Sequence, residues 1–192
     1  MSDVDSIEFA AAGRLPTWAV AGEARRAHIA RVAALMDRWA EELGLPDAER
    51  RRWKAAAWLH DALRDAPAEE LRGQVPAELR DLPAPLLHGP AAAERLREEG
   101  VRDEALLHAI AYHTLGHPAL DRLGRALYLA DFLEPGRTFD PLGGAVLRAR
   151  LPAAMDEVLV EVAAARIAFL LDRRRTLRPE TVAFWNTLIG AR

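Results

Sequence analysis

Trp53-Lys54-Ala55-Ala56-Ala57-Trp58-Leu59-His60-Asp61 is an apolar helical run that ends on two adjacent metal-capable side chains. On a helix of 3.6 residues per turn His60 shares a face with Trp53 and Ala57. Asp61 follows about 100° around the axis, so both side chains approach one cavity. A buried carboxylate beside a buried imidazole costs on the order of several kcal/mol unless each finds a partner. A cation is the partner that satisfies both.

Outward from this run, the spacing of apolar residues is helical almost throughout, and no stretch alternates with period two for long enough to make a sheet. The chain reads as all-α. Helices are expected over about 18 to 43, 47 to 63, 90 to 99, 103 to 115, 120 to 133, 153 to 175 and 180 to 189. Asp47 after Pro46, Gly89-Pro90 before Ala91, and Pro179-Glu180 mark starts, while Gly44, Gly100 and Gly116 mark stops. Residues 64 to 89 hold four prolines and read as short helical turns joined by loops.

The 192 residues, 51% of them apolar, suit one domain over 1–192 with a sizeable core. No stretch reaches the roughly 18 uninterrupted apolar residues of a membrane span. The start Met1-Ser2-Asp3-Val4-Asp5 is acidic, unlike a signal peptide's, so a cytoplasmic protein is expected. The absence of cysteine removes thiolate chemistry and leaves nitrogen and oxygen ligands for any metal. A formal charge of -3 gives no general attraction to nucleic acid or membrane, so phosphate recognition has to be local. Lys54 is the only lysine, and the many arginines fit either biased residue usage or bidentate phosphate binding.

Other metal-capable side chains lie on apolar stripes. His28 shares a face with Val32, Leu35 and Trp39; alone, it would read as a structural core histidine. Asp131 falls on the stripe of Leu120, Gly124 and Leu127, where a metal and an arginine partner answer its charge equally well. His113 lies with Leu106, Ala109 and Ile110, whereas His108 is about 140° away around the axis and reads as structural. Gly116 and Pro118 end the helix before His117, a rim residue. His88 closes the step Leu86-Leu87 before Gly89-Pro90, which in isolation says little.

Four blocks in order carry a family likeness: Leu59-His60-Asp61-Ala62-Leu63-Arg64, Leu86-Leu87-His88-Gly89-Pro90, Ala111-Tyr112-His113-Thr114-Leu115-Gly116 and Tyr128-Leu129-Ala130-Asp131-Phe132-Leu133-Glu134-Pro135-Gly136-Arg137. With Leu177-Arg178-Pro179-Glu180-Thr181 and Asn186 near the end, the sequence resembles an HD-domain metal-dependent phosphohydrolase over about residues 20 to 190. Within that superfamily it is most similar to the YqeK-type symmetrical bis(5'-nucleosyl)-tetraphosphatases. The resemblance implies an HD-domain helical bundle with a central metal site. Its motif core would span about 20–140, and the C-terminal helices at about 150–190 would pack on it.

It also implies two divalent or trivalent metal ions, iron in first place with Mn, Co, Ni or Zn also suited to the donor set. His28, His60, Asp61, His88, His113 and Asp131 would be the ligands, with Asp61 able to bridge both ions. The implied reaction is diadenosine tetraphosphate to two ADP by a metal-activated hydroxide attacking in line. Asp61 and Arg64 would be catalytic, and Arg64, Thr114 and Arg137 would meet the nucleotide substrate. Arg64 departs from the family pattern, which has Lys three residues after the doublet's aspartate; Arg keeps the charge with a bulkier, planar group. The segment from Leu142 to Arg150 does not align.

Arg173, Arg174, Arg175 and Arg178 follow the apolar run Ile167-Ala168-Phe169-Leu170-Leu171. They read first as a solvated helix end, where cations complement the helix dipole. In the sharper reading the loop closes over nucleotide and Arg175 and Arg178 bind substrate. Alternative functions are an HD-type nucleotidase or phosphodiesterase acting on another nucleotide, and a non-catalytic nucleotide sensor. Product identification separates the enzymes, and binding without turnover would mark the sensor.

Overall fold

The structure, a computed structural model, describes residues 3–137 and 143–190. Among the described residues ten α-helices follow in order: α1 (Asp3–Ala11), α2 (Glu23–Glu42), α3 (Asp47–Leu59), α4 (Ala68–Gln74), α5 (His88–Glu98), α6 (Glu104–Tyr112), α7 (Arg122–Leu133), α8 (Gly144–Arg150), α9 (Met155–Asp172) and α10 (Pro179–Gly190). Single 3₁₀ turns at Ala77–Leu79 and Ala84–Leu86 join α4 to α5, and no strand occurs among the described residues. The all-α expectation holds, and no helix among the described residues is long and apolar enough to cross a membrane.

Local chemistry places the helix ends close to where the sequence puts them. Asp103 caps α6 by accepting from the Leu106 N–H at 3.0 Å, and Asp121 caps α7 by accepting from Gly124 at the same distance. Gly44, Gly100 and Gly116 stand just past helix ends with φ of 63°, 102° and 73°. The stripe His28, Val32, Leu35 and Trp39 is the buried face of α2. It packs on α3, while α5, α6 and α7 complete the enclosure and α9 lies on α7. Trp39, Trp53, Tyr128 and Phe184 are the largest wholly buried side chains.

Two boundaries differ from the expectation for a physical reason. The helix expected from about residue 18 begins at Glu23, because the Val20 backbone is engaged elsewhere: its N–H donates to Ala62 O at 2.8 Å and its carbonyl accepts from Asp65 N at 3.2 Å. The helix expected to reach residue 63 ends at Leu59. Beyond it the bonds tighten to turns, with Ala62 N donating to Leu59 O at 3.1 Å and Arg64 N to Asp61 O at 3.1 Å. His60 and Asp61 therefore stand on a turn strapped to the strip before α2. Among its described side chains, the unexpected α1 buries Ser6, Ala10 and Ala11, too thin a stripe to show in the sequence. Leu142, at the start of the unaligned segment, lies outside the described residues; α8 forms over most of the rest.

Candidate metal centre

Five elements converge on one point. α2 brings His28, the turn after α3 brings His60 and Asp61, and the first residue of α5 is His88. His113 follows the last residue of α6, and Asp131 is in the last turn of α7. None of the six exposes more than 6% of its surface.

Asp61 is the hub. Its Oδ1 is 2.9 Å from His88 Nε2 and 3.6 Å from His113 Nε2, while its Oδ2 is 3.5 Å from Nε2 of both His28 and His60. Asp131 Oδ1 stands 3.2 Å from His28 Nε2, at ion-pair distance. The imidazoles of His60 and His113 meet edge to face, with centroids 4.8 Å apart.

Three rings are oriented from behind. His60 Nδ1 lies 2.6 Å from Ala57 O and His113 Nδ1 lies 2.8 Å from Ile110 O. His28 Nδ1 lies 3.2 Å from Glu134 Oε1. Carbonyl and carboxylate oxygens only accept, so each Nδ1 carries the proton and each Nε2 turns its lone pair to the centre. Nε2 of His28 and of His60 and Nδ1 of His88 have no hydrogen-bond partner among the described residues. Buried polar atoms without partners are rare and call for an explanation.

Electrostatics set the matching protonation states. Burial pushes His60 down to about 4 and lowers His88, so both are neutral at pH 7. Burial also pushes Asp61 up, but the surrounding imidazoles outweigh it and hold the carboxyl well below the ordinary range. Asp131 is likewise ionised, burial being overcome by His28 and Arg137. Burial lowers His28 as well, but Asp131, Asp61 and Glu134 outweigh it and raise this ring, so His28 is the exception, where a cation would compete with a proton. Neutral imidazoles and ionised carboxylates are the forms that bind a cation. The donor atoms of His28, His60 and Asp131 lie within 4.8 Å of one another, as do those of His60, Asp61 and His113. Each group could hold a metal ion.

A cleft of about 390 Å³ opens onto the centre, lined among others by Arg25, His28, Asp65, Glu134 and Arg137. Arg137 reaches back from its rim, Nε donating to Asp131 O at 3.0 Å and Nη2 to Asp131 Oδ1. Arg64 is half-buried, and its charge disfavours protonation of His88. Thr114 is half-buried, with its carbonyl accepting from Arg166 Nη2 at 2.7 Å. Arg175 is exposed, and Arg178 forms a fork with Asp81 at 2.9 and 3.1 Å. His108 stands apart from the centre, against the rings of Tyr112 and His117 at 4.8 and 4.6 Å.

Three further residues at the centre, Arg25, Glu134 and Arg166, are absent from the set expected from sequence. Arg25 donates to Asp61 Oδ2 at 2.7 Å; its place three residues before His28, on the same helix face, was the available signal. Glu134 is 3% exposed and pairs with Arg31 as well as with His28. It lies in the quoted stretch Glu134-Pro135-Gly136-Arg137, where a carboxylate follows directly on an apolar run. Arg166 of α9 places its guanidinium 3.9 Å from Asp131 Oδ2 and 4.6 Å from the Tyr128 ring centre. Nothing in its own neighbourhood sets it apart from the other arginines.

Comparison with known proteins bears on the same elements. Residues 25–136, from Arg25 to Gly136, match the HD domain family. The symmetrical bis(5'-nucleosyl)-tetraphosphatase of Bacillus subtilis (strain 168) is 32% identical over 149 residues, 74% of this chain and 79% of that protein. Its Halalkalibacterium halodurans counterpart is 30% identical over 148 residues, 74% of this chain and 78% of that protein. A Clostridium acetobutylicum protein, described as a predicted HD superfamily hydrolase involved in NAD metabolism, has the same fold. Its crystal structure aligns with a TM-score of 0.76 and 28% identity, over 89% of this chain and 92% of that one. The family match spans more than half of the chain and the relatives match about three quarters of it, so the chain belongs to the HD-domain family of symmetrical bis(5'-nucleosyl)-tetraphosphatases.

Proposed function

We propose that this protein hydrolyses dinucleoside tetraphosphates symmetrically, converting diadenosine tetraphosphate to two ADP at a two-metal centre. The observation that carries the reading is the division of Asp61, with one carboxylate oxygen towards His88 and His113 and the other towards His28 and His60. A carboxylate so placed can join two neighbouring cations. His28, His60, Asp61, His88, His113 and Asp131 would hold them, with iron as the expected metal and Mn, Co, Ni or Zn as alternatives. The names of the relatives at 30–32% identity support the substrate class. A nucleotide pool in the cytoplasm is the setting that fits this substrate.

Cations held there supply Lewis-acid charge on a phosphoryl oxygen and lower the pKa of water. The remaining work belongs to the chain. The imidazoles and carboxylates are themselves buried, which strengthens the charge interactions among them. Arg25 and Arg137 flank the cleft mouth and Arg64 stands beside His88, so cationic donors can grip the tetraphosphate on either side of the scissile anhydride. Losing one such donor typically costs on the order of 10²-fold in rate. We assign Arg64, Arg137 and Thr114 to substrate contact. In the α9–α10 loop Arg175 is the candidate for the nucleotide, since Arg178 could reach it only by leaving Asp81.

The test is anaerobic purification with metal analysis, then incubation with diadenosine tetraphosphate and chromatographic identification of products. ADP as the sole nucleotide product is expected. Equal amounts of AMP and ATP, or preferential release of nucleosides from smaller nucleotides, would defeat the reading.

A further inference from the structure

Glu134 stands behind His28, on its Nδ1 side, and it is engaged from every side. Arg31 Nε and the Gly136 N–H donate to Oε2, the latter at 2.7 Å. Arg31 Nη2 and His28 Nδ1 reach Oε1 at 3.3 and 3.2 Å. A carboxylate has about four acceptor sites, so its capacity is filled. The Glu134 side chain is 3% exposed, whereas Arg31 is 38% exposed and holds it from the solvent side. Gly136 makes this possible. A Cβ there would stand 2.5 Å from the Arg31 guanidinium carbon, so any larger residue displaces Arg31.

We propose that Glu134 is a positioning residue for the metal centre, fixing the His28 proton on Nδ1 and raising the donor strength of Nε2, with Arg31 and Gly136 as its support. The inference rests on the two-metal reading. His60 and His113 have only backbone carbonyls behind them, at 2.6 and 2.8 Å. His28 alone among these three has an anion there. An imidazole backed by a carboxylate is the stronger metal ligand, and removing such a partner lowers metal affinity by about 10- to 100-fold. The segment Glu134-Pro135-Gly136-Arg137 thereby serves both sides of one subsite: Glu134 acts through His28, and Arg137 contacts Asp131.

The experiment compares the full-length wild type with Glu134→Gln, Glu134→Ala and Gly136→Ala. Co²⁺ affinity is measured anaerobically by competition titration, and the His28 Nδ1 proton is followed by NMR in the Zn²⁺-loaded protein. Glutamine keeps an acceptor without the charge, so E134Q should retain the slowly exchanging Nδ1 proton and bind Co²⁺ about 10-fold more weakly. E134A should lose the proton signal and approach the 100-fold end of the range. G136A moves only the end of a flexible side chain and should fall between wild type and E134A, which keeps the test alive if E134A fails to fold. A purely structural Glu134 would lower the unfolding midpoint and leave the remaining affinity unchanged. Affinities within about twofold of wild type, with the Nδ1 signal intact, overturn the proposal and leave the two-metal reading standing. A wild type that takes up no Co²⁺ overturns both.

Discussion

Gly116, three residues beyond His113, carries the contact between the metal-binding helices and the C-terminal pair α9–α10. Its φ is +73°, and a Cβ added there would stand 2.3 Å from Phe184 Cδ1 and 2.8 Å from Cε1. Phe184 is 2% exposed and meets the Tyr128 ring edge-on at 5.3 Å, so the aromatic cannot swing aside. Gly116→Ala therefore carries two separable costs. A left-handed backbone costs an L-residue about 1–2 kcal/mol, and forcing a methyl into a packed interface costs about 1–3 kcal/mol more. Phe184→Ala alone should cost about 3–5 kcal/mol through the cavity it leaves. In the double variant the methyl has room, so only the backbone cost remains for the glycine substitution. The total should fall short of the sum of the singles by about 1–3 kcal/mol. Urea unfolding followed by circular dichroism on the four proteins of the cycle measures this difference. Additivity within about 0.5 kcal/mol would show that the glycine is not reserved for the phenylalanine ring.

Three further outcomes are expected. Burial pushes the Asp103 carboxyl up, but Arg52 and the Leu106 N–H bring it below the ordinary range. A folded-state value below the unfolded value, about 3.9, gives stabilisation that is present above pH about 4 and lost as pH falls through the folded value. Asp103→Asn keeps a capping oxygen and removes the charge, so it should cost about 1 kcal/mol at pH 7, and the gap to wild type should close in acid; a gap unchanged at pH 3 contradicts the assignment. Chelation should abolish hydrolysis and lower the melting temperature, and added metal at about 100 times its dissociation constant should restore about 2.7 kcal/mol; full activity after exhaustive chelation would remove the metal from the reaction. Arg166→Met gives up the bond to Thr114 O and the stack on Tyr128, together about 1–3 kcal/mol in urea unfolding. Arg166→Lys should recover less than half of that, and a lysine variant as stable as wild type would show that the planar fork is immaterial.

Helical phase in the sequence reports which way a side chain faces, and on that question it reads well here. His28 faces inward with Val32, Leu35 and Trp39, and His108 lies apart from the centre because its phase differs from that of His113. Phase says nothing about what waits across the gap. Asp131 left metal and arginine equally placed, and the fold gives it both neighbours, since Arg137 and His28 lie on the same carboxylate oxygen. The strip before α2 reads as helix until its backbone bonds are seen to close on Ala62 and Asp65, more than forty positions away. Arg178 in the C-terminal loop is held by Asp81, 97 positions earlier, and Glu134 meets His28 across 106. The arginines show why this matters for function. As composition they are uninformative, in a chain whose formal charge is -3. In space Arg25 meets Asp61, Arg31 meets Glu134, and Arg137 and Arg166 meet Asp131. Three buried acids thus face four guanidiniums before any metal charge is added. Asp65, 3.8 Å from Arg25, brings the acids to four as well, so the centre is close to balanced and a bound cation would supply the net positive charge that a polyphosphate meets there, with no general attraction to nucleic acid or membrane.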